Sequence, residues 1–396
     1  MRNSRKAIVT VTMLCLSIAY LSQCMRSGFP PDKRGQAFAP EQTCRKCHQA
    51  IVDSALLTAH HNASFAANAG NIAGNYSAGN NQFNYDSLNK VVIEKRNNSF
   101  YQVWYEGGKE KLANRFDVGF GYSHALTWLF WQNDRAYELP LSWYKAEQSW
   151  GTSPGYPASQ PVFNRLIGLD CFECHSSNIS HKKYSAAAGD YFTSAEQAEI
   201  LDKATLIYGI NCQSCHGPAA EHVAFQEQHP GDSNDTHMIS MAGMSRQQQL
   251  DACGLCHSGN GKHKLKSRFG FRPGDALANF FLPGGDAAAD VHGNQLGLLQ
   301  QSKCFLQGSS ITCKTCHSPH NNATDNLAIY SQKCMDCHKP NSNNFCTVRN
   351  LDLPMLQSNC IDCHMPRQAS KVINYQLIGQ QEPLAYRLRT HRIAVY

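Results

Sequence analysis

Hydrophobic and polar positions along the chain fall into three regimes. Residues 1–6 are basic and polar, and Ala7–Leu21 follow as a mostly apolar run of 15 residues. That is the n-region and h-region of an export signal, too short to span a bilayer comfortably. The second regime, residues 83–150, holds 16 aromatic residues in 68 positions, including all five Trp. Within it Val91–Ile93, Phe100–Tyr105 and Leu126–Trp131 have strand composition, and Asn97-Asn98 and Gly107-Gly108 suit turns. The Asn-, Ala- and Gly-rich residues 62–81 read as the connector leading into it. In the third regime, which covers the rest, helical signals are short and stand just before cysteine motifs. Thr193 with Glu196 reads as a capping box, and Ile200, Leu201, Ala204, Ile207 and Tyr208 keep helical spacing up to Cys212. Ser245 with Gln248 repeats the arrangement before Cys253.

A length of 396 residues suggests two or three ordinary domains, but composition changes that picture. There are 18 Cys and 18 His, while charged residues make up only 17% and the mean hydropathy is -0.44. These values exclude a membrane-embedded bundle and an acidic disordered tail. Of the formal charge of +6, Arg2, Arg5 and Lys6 in the export segment supply half. What remains is no electrostatic footprint for nucleic acid.

Fourteen of the cysteines fall in seven copies of C-x-x-C, each followed directly by His. They are Cys44/Cys47/His48, Cys171/Cys174/His175, Cys212/Cys215/His216, Cys253/Cys256/His257, Cys313/Cys316/His317, Cys334/Cys337/His338 and Cys360/Cys363/His364. At these frequencies chance predicts about 0.04 copies. The spacing lets two thiols add across the two vinyl groups of a haem while the following His binds iron as proximal ligand. Structural zinc, a thioredoxin-like redox pair and vicinal disulfides all leave the repeated His without a role. The expected cofactor is therefore seven covalently attached c-type haems.

Four cysteines remain. Cys15 lies in the export signal. Leu21-Ser22-Gln23-Cys24 resembles the lipobox of bacterial lipoproteins, which makes Cys24 the lipidation candidate, although Gln23 stands where that family has a small residue. Cys304 and Cys346 form the disulfide candidate in an oxidising compartment, with two free buried thiols as the alternative. The expected organisation is an export signal at 1–23, a first haem-binding segment at 24–66, an aromatic-rich β-type insert at 67–168 and a six-haem domain at 169–396. The expected fold class is mainly α and loop, built around a haem stack, with a small antiparallel β-rich insert between the first and second haem motifs. Porphyrins there supply the apolar interior that side chains do not.

Eleven histidines lie outside the motifs, for at most seven distal positions. Neither His320 nor His222 can reach round the haem edge to its own proximal His a few residues earlier. If residues 48–60 are helical, His60 lies about 18 Å from His48, too far to share an iron. Such ligands therefore serve neighbouring haems. The chain resembles multihaem cytochromes c of the cytochrome c-552/4 family. The matching residues are Thr58-Ala59-His60 after the first motif, Cys212–His222, Cys313–His320 and Cys360–Pro366, together with His391 near the terminal Arg-Ile-Ala-Val-Tyr. The resemblance implies distal ligation by His60, His222, His292, His320 and His391. It leaves His61, His124, His181, His229, His237 and His263 as surface or hydrogen-bonding residues.

Two functions follow, from different classes. An exported electron carrier, in the periplasm or at the outer membrane and lipid-anchored if Cys24 is acylated, needs mostly bis-His haems and redox partner proteins as donor and acceptor. A multihaem oxidoreductase acting on a small nitrogen or sulfur species needs one open iron, as in enzymes related to this group. The Cys171/Cys174 haem is the expected open one, since no distal ligand lies near it in sequence. No motif ends in Lys, which disfavours the mechanism of pentahaem nitrite reductases. A third reading makes the aromatic segment a docking face for a partner. Replacing one motif's two cysteines should remove one haem from the purified protein, and an unchanged intact mass would refute that assignment.

Overall fold

The computed structural model describes residues 29–182, 200–259, 261–282, 289–322, 326–348 and 351–396. The export signal with Cys15 and Cys24, and the Thr193/Glu196 cap, lie outside the described residues.

After the first motif helix, Arg45–Ala55, the chain enters β structure at β1 (Ser64–Ala66). A four-stranded antiparallel sheet follows: β2 (Gln82–Asn84), β3 (Asn89–Arg96), β4 (Ser99–Glu106) and β5 (Lys109–Arg115), in sequential order. β6 (Val118–Phe120), β7 (Ala125–Gln132), β8 (Arg135–Glu138), β9 (Leu141–Tyr144), β10 (Ser149–Thr152) and β11 (Leu166–Ile167) join β1 in a seven-stranded sheet. Its order is β1-β6-β7-β8-β11, with β9 pairing β7 and β10 pairing β9. Tight connections explain the register. Gly107 and Gly108 both take positive φ between β4 and β5, as do Asn133 and Asp134 between β7 and β8. Two consecutive residues at positive φ make the turn whose twist matches the flanking strands.

Alternation along these strands points Phe83, Val91, Ile93, Phe100, Trp128 and Trp150 into one core. Gln102 crosses that core, donating from Nε2 to the carbonyl of Leu141 at 2.7 Å and accepting from the Leu141 amide at 2.9 Å. A second cluster carries packing past residue 168, bringing Val118, Phe120 and Leu129 against Phe172, Ile179, Leu201 and Leu206. A third joins Tyr144 to Tyr375 and Leu377, with the Tyr144 and Tyr375 rings stacked at 3.9 Å. The β-rich segment is thus welded to two later parts of the chain.

The expectation of a mainly helical and loop fold is overturned. Among the described residues, helices and strands take nearly equal shares, and the strands form several antiparallel sheets. One reason is that most motif helices are only one or two turns long; another is that intervening segments pair as hairpins. β12 (Ser176–His181) starts directly after the second motif and pairs with β13 (Leu201–Tyr208); β14 (Arg367–Tyr375) pairs with β15 (Leu384–Arg389). β13 occupies the stretch whose spacing suggested a helix. Short apolar runs carry both periods, and the partner strand β12 decides between them, with Leu201 and Leu206 buried on Phe172 and Ile179. The helix Arg246–His257 does begin at a capping box formed by Ser245 and Gln248.

Glu138 ends β8 in the interior, with Arg165 Nη1 at 3.3 Å. Burial pushes its carboxyl up to about 7, and Arg165 only partly offsets this. Its folded value therefore exceeds an unfolded value near 4.5, so its contribution to stability is complete below that pH and is lost as pH rises through about 7. Denaturant midpoints from pH 4 to 8 should decline over that window, and the decline should be shallower in Glu138→Gln.

Candidate metal centres

Each C-x-x-C-H is local helix chemistry. Residues at i and i+3 share a helical face, and i+4 lies beside them, so two thiols and an imidazole project together. Helices Leu169–His175, Cys212–His216, Arg246–His257 and Ile361–His364 end on the motif histidine, and Cys313–Cys316 and Leu327–Met335 end within their motifs. The first motif departs from this pattern. Cys44 closes a short 3-10 turn, Glu41–Cys44, while Cys47 and His48 lie inside the next helix, which kinks at His48 with φ -111° and ψ 35°. Cys47 is exposed, where Cys44 is half-buried against Cys212, so the two thiols of this motif stand in unlike surroundings. Cys171, Cys215, Cys337 and Cys363 are exposed as well. A pair of thiols at helical spacing is fixed by the backbone alone; whether a given thiol is also covered depends on which later segment packs over it, and the spacing carries no information on that.

The Asn211 side chain caps the third motif, and Thr312 with Thr315 forms a reciprocal cap at the fifth. Ring nitrogens are fixed by backbone acceptors: His175 Nδ1 lies 3.2 Å from the Ala63 carbonyl, His338 Nδ1 2.6 Å from Asn344, and His364 Nδ1 2.9 Å from Ala394. His257 Nδ1 is 3.2 Å from Gln295 Oε1. Holding Nδ1 in this way leaves Nε2 for a metal.

The tertiary structure brings a second imidazole opposite most of these. His48 faces His222 with ring centres 6.3 Å apart, His216 faces His320 at 5.9 Å, His317 faces His391 at 6.2 Å and His60 faces His257 at 6.1 Å. A nitrogen about 2 Å from a metal and about 1.2 Å from its own ring centre puts two rings sharing one ion about 6.4 Å apart. The four pairs fit that dimension. His292 is close enough to His175 to lower its basicity, after the larger effect of burial. His292 stands 117 residues downstream of His175, beyond reach of a local reading of the Cys171/Cys174 site expected to be open. Among the described residues no facing imidazole ring is found for His175, which stacks on Phe120 with ring centres 4.7 Å apart, or for His338 and His364.

Burial, followed by neighbouring imidazoles, lowers His60 and His391 to about 4, so both are neutral and offer a lone pair. Among the described residues no three His, Cys, Asp or Glu converge on one point. Two opposed imidazoles supply only an axis, which leaves the equatorial positions of an ion held there to ligands such as a macrocycle. Apolar side chains left at the surface around the later motifs, Leu306, Ile329, Leu353 and Met355, suit contact with such a ring.

The motif thiols also stand as neighbours of one another, close enough to interact electrostatically. Cys44 is beside Cys212, Cys174 beside Cys256, Cys253 beside Cys313, and Cys334 beside Cys360. Cys215 lies near Cys253, and Cys334 near Cys316. The sites thus form a row from 44 through 212, 253, 313 and 334 to 360, with 171 branching at 256.

Other histidines have different company. His61 is 3.9 Å from Glu41, His124 meets Tyr386 edge-on, His229 stacks on Phe225, His237 pairs with Asp235, and His181 lies on β12. His263 accepts from the Leu282 amide through its backbone. Of the disulfide candidate, Cys304 lies in the helix Lys303–Gln307 near Cys316, Cys334 and Cys337, and Cys346 is half-buried outside any helix or strand.

Sequence reasoning missed the polar groups that orient the sites. Glu173, between the cysteines of the second motif, is fully buried and accepts from Lys264 Nζ (3.1 Å), Ser267 Oγ (2.5 Å), the Arg268 amide (3.2 Å) and Arg268 Nη1 (3.1 Å). Arg268 Nε donates to the carbonyl of Leu255 at 3.0 Å, inside the fourth motif. One guanidinium therefore ties the second motif to the fourth. A carboxylate inside a C-x-x-C was the available signal.

The fold is similar to that of a solved structure, the outer cell wall cytochrome OcwA, at 15% identity and a TM-score of 0.51, covering 90% of this chain and 79% of that one. At that identity the likeness speaks for the fold. No family model matches the chain, and no curated protein does.

Arg268→Met should cost about 3 kcal/mol in denaturant unfolding, because it removes one partner from a buried carboxylate.

Proposed function

We propose that this chain is an exported heptahaem c-type cytochrome that passes electrons between redox partner proteins. The observation that carries this reading is the set of opposed imidazoles spaced for one metal ion each. Haem held there would supply an iron that changes oxidation state and a macrocycle that fills the interior. The chain's own part is to hold, space and insulate. Cys44 through Cys363 of the seven motifs would form the thioether links, the exposed Cys47 among them, with the motif histidines as proximal ligands. His222, His320, His60, His391 and His292 would close the sites of His48, His216, His257, His317 and His175. Each distal ligand so assigned comes from a segment other than its own motif, which ties neighbouring sites to one another. Neighbouring thiols of successive motifs keep the sites adjacent, as a conduit requires.

Export is supported by the basic-then-apolar N-terminus and by the extracellular station named for the structural neighbour. Lipid attachment at Cys24 is part of the proposal. Among the described residues no helix is long and apolar enough to cross a membrane.

One observation favours a second reading, a multihaem oxidoreductase for a small nitrogen or sulfur species: His338 and His364 lack a facing imidazole among the described residues. The open site would then be one of these two, or the second where His292 does not close it.

Haem counting should return seven. Low-temperature EPR of the oxidised protein should show low-spin signals for the paired sites, and His391→Ala should convert about one site in seven to high spin. A count near zero, or an unchanged spectrum in the variant, would overturn the reading.

A further inference from the structure

His222 differs from the other axial histidines whose Nδ1 partner is defined. His175, His338 and His364 turn Nδ1 to backbone carbonyls and His257 to an amide oxygen, all neutral acceptors. His222 Nδ1 is hydrogen-bonded to the carboxylate of Asp235. That carboxylate is nearly enclosed, its side chain 8% exposed, and it is held in place from other directions. The His237 amide donates to Oδ1 at 2.7 Å, His237 Nδ1 lies 2.8 Å from the same oxygen, and Gln226 Nε2 is 3.4 Å from Oδ2. His222 in turn stands opposite His48 with the ring planes 17° apart.

We propose that Asp235 is a positioning residue that makes the His48 site the low-potential end of the row. The inference rests on the electron-transfer reading above. A carboxylate accepting from Nδ1–H makes the imidazole a more basic ligand, and a more basic ligand favours the ferric state over the ferrous. A neutral carbonyl does this less, because charge-assisted hydrogen bonds are roughly twice as strong. The low exposure of the Asp235 side chain limits how far solvent screens the charge. The His48 site also starts the row, its Cys44 beside Cys212 of the next site. A low-potential first site gives electrons a downhill direction, entering beside Asp235 and leaving towards the 334 and 360 motifs.

Asp235→Asn keeps an acceptor oxygen and removes the charge. Spectroelectrochemical titration of the full-length haem-loaded protein resolves its one-electron components. The lowest component is expected to rise, with a tenfold change in its ferric-to-ferrous ratio, about 59 mV for one electron. The other six should stay in place. His237→Ala relieves Asp235 of a competing donor and should move the same component down, which keeps the test decisive if Asp235→Asn loses haem. Seven haems with unmoved components, or movement of a component other than the lowest, would overturn the proposal. A wild-type protein without thioether-linked haem would instead overturn the function on which it rests.

Discussion

Two imidazoles from distant parts of the chain, held about one metal ion's width apart, are the constraint on which the rest depends. The opposed rings join residues as far apart as 48 and 222, 60 and 257, 216 and 320, and 317 and 391. Each pairing closes a long loop, and the entropy of that closure must be recovered by whatever bridges the two rings. A chain with so small a side-chain core around its later motifs has few other means of recovering it. The clusters there are limited to groups such as Leu250, Leu296 and Phe305, or Phe271, Phe280 and Phe281.

The β-rich part of the molecule solves a different problem. It has a side-chain core of its own, centred on Trp128 and Trp150, and can be rigid without any cofactor. Its contact with the second motif is aromatic: Phe120 stacks on His175 at 4.7 Å and meets Phe172 edge-on, while Trp131 also stacks on Phe172. With Arg268 gripping Glu173 as well, that motif is held by two separate sets of contacts. The branch site is therefore the one most firmly set by protein alone, whereas the exposed 334 and 360 motifs depend more on what they bind.

These two styles of support divide the molecule functionally. A rigid branch point and a row of cross-braced sites suit a conduit whose spacing must not fluctuate. Carboxylates at particular points, Asp235 beside His222 and Glu173 inside the second motif, let one set of repeated motifs acquire unequal electrostatics. Repetition supplies the sites, and the second layer of polar residues makes them different from one another.

The motifs themselves were legible because their chemistry is local: two thiols and an imidazole at helical spacing need nothing from the rest of the chain. The same holds for the strand composition of residues 83–150, where alternation and turn residues act over a few positions. The 201–208 segment carries helical spacing but forms a strand, because a short apolar run satisfies both periods and its pairing with β12 settles the matter. The near neighbours of His175 were hidden for a related reason, since His292 arrives from another part of the chain. So was the contrast between Cys47 at the surface and the half-buried Cys44 beside Cys212, which no spacing within the first motif could show. Which imidazole faces which, the order of sites in the row, and the placing of Arg268 between two motifs are all contacts across long sequence separations. Such contacts depend on how loops close and sheets dock, and no local pattern of residues encodes them.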